Sequence, residues 1–390
     1  MVFLRQGDLA CRRIDDESGP LGGGLSDFDG RHWARLLVTT IALLCGTLPF
    51  VQSAEALSSV TAERPPAEVW VDPDAGVHIS PMILPYSIYA SSESKAEFLR
   101  LPDDAALTKG PKSSAEMRAA ALERYRTALA RVKAMYQVDS EVVVVDGIHT
   151  DVFTPAGSAG RKDTSRVLIQ VGGDETDSLQ ASPVASLGKF KIVAVDVREG
   201  PEVRFPTASK EVAAVYRALL RTNNAQNIGI YGCSRFGLIA AEAVAWIAKE
   251  KLPPPGAVGL FCGGALPWWT GGDSVTIGYP LMGFPVTSLQ PDADNYFAGV
   301  DVNDPMVAPA RFPAVLAKFP PTLIITSTRD HLLSPAVYTH TQLVKLGVKS
   351  ELHVWEGMVH GFFTIYPELP ETREALNVIV KFFDKHLGRH

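Results

Sequence analysis

The sequence predicts an α/β fold: a mostly parallel sheet covered by helices on both faces. Three observations carry that expectation. From Val167 onward, short apolar runs rich in β-branched residues alternate with longer amphipathic segments, which implies right-handed crossovers between parallel strands. Ahead of them, residues 141–146 and 148–153 flank Gly147 and read as an antiparallel hairpin, so the sheet is mixed. The third observation is the stretch 227–237, where an apolar run meets Gly232, Cys233 and Ser234 and then the Ala-rich segment 238–250. That order reads as strand, sharp turn and helix, a geometry that lifts a serine hydroxyl to the carboxyl edge of a sheet.

The elements follow in order. Residues 1–30 show no hydrophobic period. Arg31 and Arg35 then precede an apolar run over 36–51 and the small residues Ser53, Ala54, Glu55 and Ala56. Basic, apolar and then small residues describe a secretory signal peptide cleaved after Ala56, so 1–56 is a leader and the expected location is periplasmic or secreted. The apolar run is short for a bilayer span of ~20 residues, which makes a retained membrane anchor the second reading. One domain occupies 57–390. Residues 57–94 read as an extended arm and 95–101 as a short helix. Ser113 and Glu116 fit a capping box ahead of a helix whose apolar face holds Met117, Leu122, Tyr125, Leu129, Val132 and Met135. Strands are expected at 167–171, 192–196, 228–231, 257–261, 323–326 and 351–355. Helices are expected at 208–220, 238–249, 336–346 and 372–387. Residues 264–320, with Trp268, Trp269 and Tyr296, interrupt the alternation and read as an insertion above the carboxyl edge, where open α/β sheets bind ligands.

Composition narrows the partners. With 46% hydrophobic and 21% charged residues the chain is an ordinary globular one. A formal net charge of −6 argues against a nucleic-acid partner. There is no fixed-period repeat, no zinc-like His/Cys spacing and no phosphate-cradling or dinucleotide-binding glycine pattern. Of the four cysteines, Cys11 and Cys45 fall in the leader. Cys233 and Cys262 end adjacent predicted strands, where a disulfide is conceivable; two buried free thiols are the favoured reading.

Chemistry enters through three residues. A serine nucleophile needs a base to take its proton, and the base needs a carboxylate to orient it. Asp330 follows the strand at 323–326, and His360 follows the strand at 351–355, so Ser234, Asp330 and His360 each stand on a loop after their own strand. Taken singly, Asp330 also fits a helix-capping acid and His360 a surface histidine; it is the convergence of three strand-to-loop positions that favours the triad. Gly172 and Gly173 close the first central strand and would let their backbone N–H groups approach a developing oxyanion, with the N–H of Arg235 as a further donor.

These segments, with Arg204-Phe205-Pro206, Asp304 to Pro309, Ser327 to Asp330 and His360-Gly361-Phe362, make the chain resemble the hormone-sensitive-lipase-like branch of the α/β-hydrolases, a group of bacterial esterases and lipases. The likeness covers most of 115–388. It implies an eight-stranded α/β-hydrolase sheet with a helical cap contributed by about 95–137 and 264–320. It also implies hydrolysis of short-chain carboxylic esters by Ser234, His360 and Asp330, with small-molecule esters as partners and no metal or organic cofactor. Trp268, Trp269 and Phe362 are candidates for lining the pocket. Two positions depart from the family pattern. Val171-Gly172-Gly173-Asp174 stands where the family has His-Gly-Gly-Gly followed by an apolar stretch, and the loop is shortened after it; Phe236 replaces the glycine two residues after the serine, where a bulky side chain is expected to displace its neighbours. A pairing of Arg235 with Asp174 would neutralise the carboxylate. Two rival readings are a catalytically weakened hydrolase fold that binds a ligand, and a peptidase or amidase using the same triad.

Overall fold

The computed structural model describes residues 69–71, 77–79, 84–100, 114–157, 165–173, 177–199, 202–281 and 295–388. The expected signal peptide and Asp174 lie outside them. Two compact units divide between Leu84 and Pro85. The first holds β1 (Val69–Val71) and β2 (Val77–Ile79), an antiparallel pair with Val69 opposite Ile79.

The second unit opens with α1 (Ser92–Phe98), which starts earlier than expected because the Ser91 hydroxyl caps it by accepting the Ser94 N–H. Helix α2 (Ser114–Met135) follows; it buries Ala128 and Val132, while Met135 turns outward, 42% exposed. Strands β3 (Val138–Val145) and β4 (Ile148–Pro155) form the expected hairpin. Asp146 and Gly147 both have positive φ at its two-residue turn, the geometry an Asp-Gly pair supplies.

Then come β5 (Val167–Gly172), α3 (Ser178–Gly188), β6 (Lys191–Asp196), α4 (Thr207–Leu219), β7 (Ile228–Cys233), α5 (Arg235–Lys249) and β8 (Ala257–Phe261). The chain ends with α6 (Ser274–Leu281), α7 (Pro313–Leu316), β9 (Thr322–Arg329), α8 (Leu333–Lys345), β10 (Ser350–Val359), α9 (Phe362–Ile365) and α10 (Pro370–His386). Helix α3 has no counterpart in the sequence reading. Pro183 inside it reads as a breaker, but Leu179, Ala181, Val184 and Ala185 are buried, and tertiary packing overrides the propensity.

Eight strands make one sheet in the order β10-β9-β8-β7-β5-β6-β4-β3; β3, β4 and β6 pair antiparallel and the rest parallel. Along β5 the side chains alternate between two cores. Val167, Ile169 and Val171 face the core shared with α4, α5 and α8; Leu168 faces the core shared with α2, α3 and α10. Both faces are therefore covered, so the strand is apolar except at Gln170, whose amide donates to the Asp177 carbonyl at 2.9 Å and accepts the Tyr231 hydroxyl at 2.7 Å. The carboxyl ends of β5, β7, β8, β9 and β10 lie at one edge, and the candidate residues stand there. No helix among the described residues is long and apolar enough to cross a membrane.

Candidate active site

The strand-to-helix turn between β7 and α5 holds Ser234 at φ 63°, ψ −129°, a backbone state costing an L residue on the order of 1–3 kcal/mol. Several contacts hold it there. The Ser234 N–H donates to the Phe261 carbonyl at 2.8 Å, and the Gly237 N–H returns to the Ser234 carbonyl at 3.0 Å. A Cβ at Gly232 would sit 2.3 Å from the Phe236 carbonyl oxygen, so only glycine lets the turn close. Phe236 itself is half-buried and its ring lies under the Arg235 guanidinium at 4.5 Å. The close helix-to-strand approach thus falls on the backbone of Phe236 against Gly232, and the Phe236 side chain stacks under Arg235 instead of meeting the strand.

Asp330 follows β9 directly, because that strand runs on to Arg329. Its carboxylate is 1% exposed and fully used. Oδ1 accepts the Leu332 N–H at 2.8 Å and meets Nδ1 of His360 at 2.7 Å; Oδ2 accepts the Thr326 hydroxyl at 3.1 Å. Burial pushes the Asp330 pKa up, but the His360 charge and hydrogen bond, His331 and the Leu332 amide outweigh it, and the group is held below its ordinary value. His360 follows β10, which continues past an irregularity after Trp355 to Val359, and Gly361 turns the chain away at φ 68°. With Asp330 ionised, Nδ1 of His360 carries the proton, and Nε2 accepts the Ser234 hydroxyl at 2.9 Å. Ser234, His360 and Asp330 form one hydrogen-bonded row.

A neighbour that the sequence reading passed over is His331. Its ring centroid lies 4.5 Å from that of His360, and Tyr279 closes its other side at 5.0 Å. Burial first, then the His360 charge, push its pKa down to about 3, so it is neutral. The adjacency to Asp330 was the available signal. Asp330, His331 and His360 also bring ligand atoms within 4.8 Å of one another, a spacing a metal ion would accept. Asp330 Oδ1 and both His360 nitrogens are already engaged in the row to Ser234.

The oxyanion donors are arranged differently from expectation. The Gly173 N–H donates to Oδ1 of Asp177 at 3.3 Å, and a Cβ at Gly172 would strike the same carboxylate. The loop wraps its own buried acid, which is why Gly172 is glycine, whereas Gly173 has φ 153° and lies close to the Val197 carbonyl; the Gly173 amide is turned to the acid. Arg235 begins α5, where the first N–H groups have no intrahelical acceptor. Its side chain pairs with Glu199, Nε to Oε2 at 2.8 Å; the other expected partner, Asp174, lies outside the described residues.

Cys233 and Cys262 form a disulfide, against the free thiols expected. Cys233 stands opposite Phe261 in the β7/β8 register, so Cys262 is the next residue along, and the Cα–Cα distance of 5.2 Å suits a bridge. Among the candidate pocket residues, Trp269 is 7% exposed in a cluster with Trp268 and Phe297, and Phe362 is 1% exposed against Phe363 and Trp355. Both are core residues. Trp268 is half-buried and keeps ring surface to offer.

Comparison with known proteins agrees with this architecture. A family model described as alpha/beta hydrolase fold matches residues 169–364, over half of the chain. An acetyl-hydrolase of Streptomyces hygroscopicus is 25% identical over 259 residues, 64% of this chain and 83% of that protein. The crystal structure of an esterase E25 is similar at TM-score 0.65 and 26% identity, covering 80% of this chain and 99% of the other. An esterase from the bacterial hormone-sensitive lipase family aligns at TM-score 0.63 and 22% identity, covering 76% and 99%. With that match over an eight-stranded, largely parallel sheet, the chain belongs to the α/β-hydrolase fold family.

Proposed function

We propose that this protein is a serine carboxylic-ester hydrolase for small esters with short acyl chains. The observation that carries the reading is the row of Ser234 Oγ, His360 Nε2, His360 Nδ1 and Asp330 Oδ1, with successive hydrogen bonds of 2.9 and 2.7 Å. The similarity to an acetyl-hydrolase and to an esterase supports the substrate class.

In this reading Ser234 Oγ attacks the ester carbon while Nε2 of His360 takes its proton. Asp330 holds the imidazole in the tautomer that accepts at Nε2 and stabilises the imidazolium that forms. The oxyanion is met by the Arg235 N–H, and the Gly172–Gly173 loop contributes once the Gly173 amide leaves Asp177. Collapse expels the alcohol, protonated by His360, and leaves an acyl-serine. Water, deprotonated by the same imidazole, then releases the acid.

The test is turnover of p-nitrophenyl acetate and butyrate by the purified chain. Ser234→Ala should abolish it, and retained turnover in that variant removes Ser234 from the mechanism. A fluorophosphonate probe, which labels an activated serine, checks the same point without a substrate. Labelling supports the hydrolase; its absence favours a weakened fold that only binds a ligand. Export is part of the proposal, since disulfides such as Cys233–Cys262 persist in oxidising compartments. Cell fractionation tests it, and a membrane-bound pool would favour a retained anchor.

A further inference from the structure

We propose that the Cys233–Cys262 disulfide is a positioning element of the reaction, holding Ser234 at the height from which its hydroxyl reaches both His360 and an ester carbon. The inference rests on the hydrolase reading above. Cys233 is the residue immediately before Ser234, and the bridge fastens it to the end of the neighbouring strand.

Two backbone outliers flank that bridge. Ser234 has φ 63° and Cys262 has φ 53°, both in the left-handed region that L residues avoid. Conformations of this kind persist only where the surroundings over-determine them. At Ser234 the surroundings comprise the N–H bond to the Phe261 carbonyl at 2.8 Å and the glycine contact at Gly232. At Cys262 the N–H donates to the Ile325 carbonyl at 2.7 Å. Phe261 joins the two, since it is both the acceptor for Ser234 and the residue before Cys262. A covalent link between residues 233 and 262 therefore closes a small ring around the nucleophile turn, and that ring spans β7, β8 and, through Ile325, β9.

The ring bears on the triad because its three members reach the site on separate strands. Asp330 and His360 are carried by β9 and β10 and are held by their own bonds, whereas Ser234 depends on the β7 turn. A 1 Å misplacement of a reacting group costs up to ~100-fold in rate. Reduction breaks the S–S bond: a dithiol such as dithiothreitol donates two electrons and two protons, yields two protein thiols and closes into its own cyclic disulfide. Both sulfurs are buried, Cys233 at 6% and Cys262 at 1% exposure, so the bridge resists casual reduction and acts as a fixed part of the site.

The experiment compares the oxidised enzyme, the same enzyme reduced until two further thiols titrate, and the Cys233→Ala/Cys262→Ala double variant, all on p-nitrophenyl acetate. The expected result is a fall in kcat of roughly 10-fold, within the range a misplaced nucleophile costs. KM should stay within about twofold and the tryptophan bands of the near-ultraviolet circular dichroism, which lie beyond the disulfide's own absorption, should be unchanged, because the pocket and fold persist. Reoxidation of the reduced enzyme should restore kcat. The proposal is overturned if kcat in the reduced or doubly substituted enzyme lies within about twofold of the oxidised one. It is equally overturned if activity is lost only together with tertiary structure, which would make the bridge a scaffold element alone. If the double variant fails to fold, the reduced wild-type enzyme decides. An oxidised enzyme with no Ser234-dependent turnover removes the hydrolase reading instead, and the positioning role with it.

Discussion

Glu199 accepts the Nε–H of Arg235 at 2.8 Å, and the same guanidinium lies 4.5 Å over the Phe236 ring. The cation beside the nucleophile is thereby fastened on one edge by a carboxylate and on one face by an aromatic ring. Arg235 is 49% exposed, so solvent screens the pair, whose worth is about 0–1 kcal/mol. The oxyanion donor proposed at this position is the backbone N–H, which survives any substitution but proline. Arg235→Ala should keep kcat within about threefold of wild type, the scale of a surface ion pair. A tenfold rise in p-nitrophenyl acetate turnover would show that the side chain obstructs the site, and a tenfold loss that it touches substrate.

His331 makes the enzyme acid-labile. Its folded pKa of about 3 lies far below the ~6.5 of an exposed imidazole. Between those values the unfolded chain binds a proton that the folded one does not, so stability falls as pH drops from ~6.5 toward 3. The groups facing it are Asp330, His360 and Tyr279. His331→Phe keeps an aromatic ring against His360 and removes the titration. Denaturant titrations at pH 7 and pH 4.5 should show the wild type losing about 2–3 kcal/mol more than the variant. Equal losses would refute the assignment. As pH falls below ~4, protonation of Asp330, held below its ordinary value, adds the same loss to both proteins, on top of the His331 loss that continues toward pH 3 in the wild type alone.

The sheet was legible because strands buried on both faces leave short, largely apolar runs, as 167–171 and 323–326 do, and the hydrogen-bonded row was legible because Ser234, Asp330 and His360 each stand just past a predicted strand. What escaped was whatever depends on the register between strands. That Cys262 neighbours Cys233 follows from Cys233 pairing with Phe261, and no single segment encodes that pairing. The pairing of Arg235 with Glu199 escaped for the same reason: Glu199 stands on the loop after another strand, and only three-dimensional placement brings the two together. Helix α3 escaped because Pro183 is locally unfavourable while its neighbours bury apolar surface against the sheet.

Gly232 is the position where the elbow has no slack. An added Cβ would lie 2.3 Å from the Phe236 carbonyl oxygen and 3.0 Å from the Gly237 nitrogen, both backbone atoms that cannot swing aside as a side chain would. Gly232→Ala must therefore move α5 away from β7 or twist the turn. Overpacking of this kind costs about 1–3 kcal/mol. The displacement falls on Ser234 two residues on, so kcat should drop by roughly 10- to 100-fold while the protein still folds. Wild-type kcat in a folded Gly232→Ala protein would show that the turn tolerates the shift.

Glu242 sets a limit at the other end of the pH range. It lies on α5 with no exposed surface, its Oε2 accepting the Ser209 hydroxyl at 2.9 Å and its Oε1 without a hydrogen-bond partner among the described residues. Burial first, and then the charges of Glu199 and Asp304, raise its pKa well above the ordinary carboxylate value, against the lowering effect of the Ser209 hydrogen bond. The folded protein thus keeps a proton that the unfolded chain gives up near pH 4.3. Stability is full below that pH and declines as pH rises toward the folded value. Glu242→Gln preserves the size and the Ser209 contact and does not ionise. Its stability advantage should be near zero at pH 4, grow steadily above pH 5 and exceed about 1 kcal/mol at pH 8, the scale of one buried polar mismatch. Thermal melts across pH 4–9 would read this directly. A constant difference between the two proteins would mean that Glu242 ionises in place without penalty, and that the neighbouring Glu199 and Asp304 are screened from it.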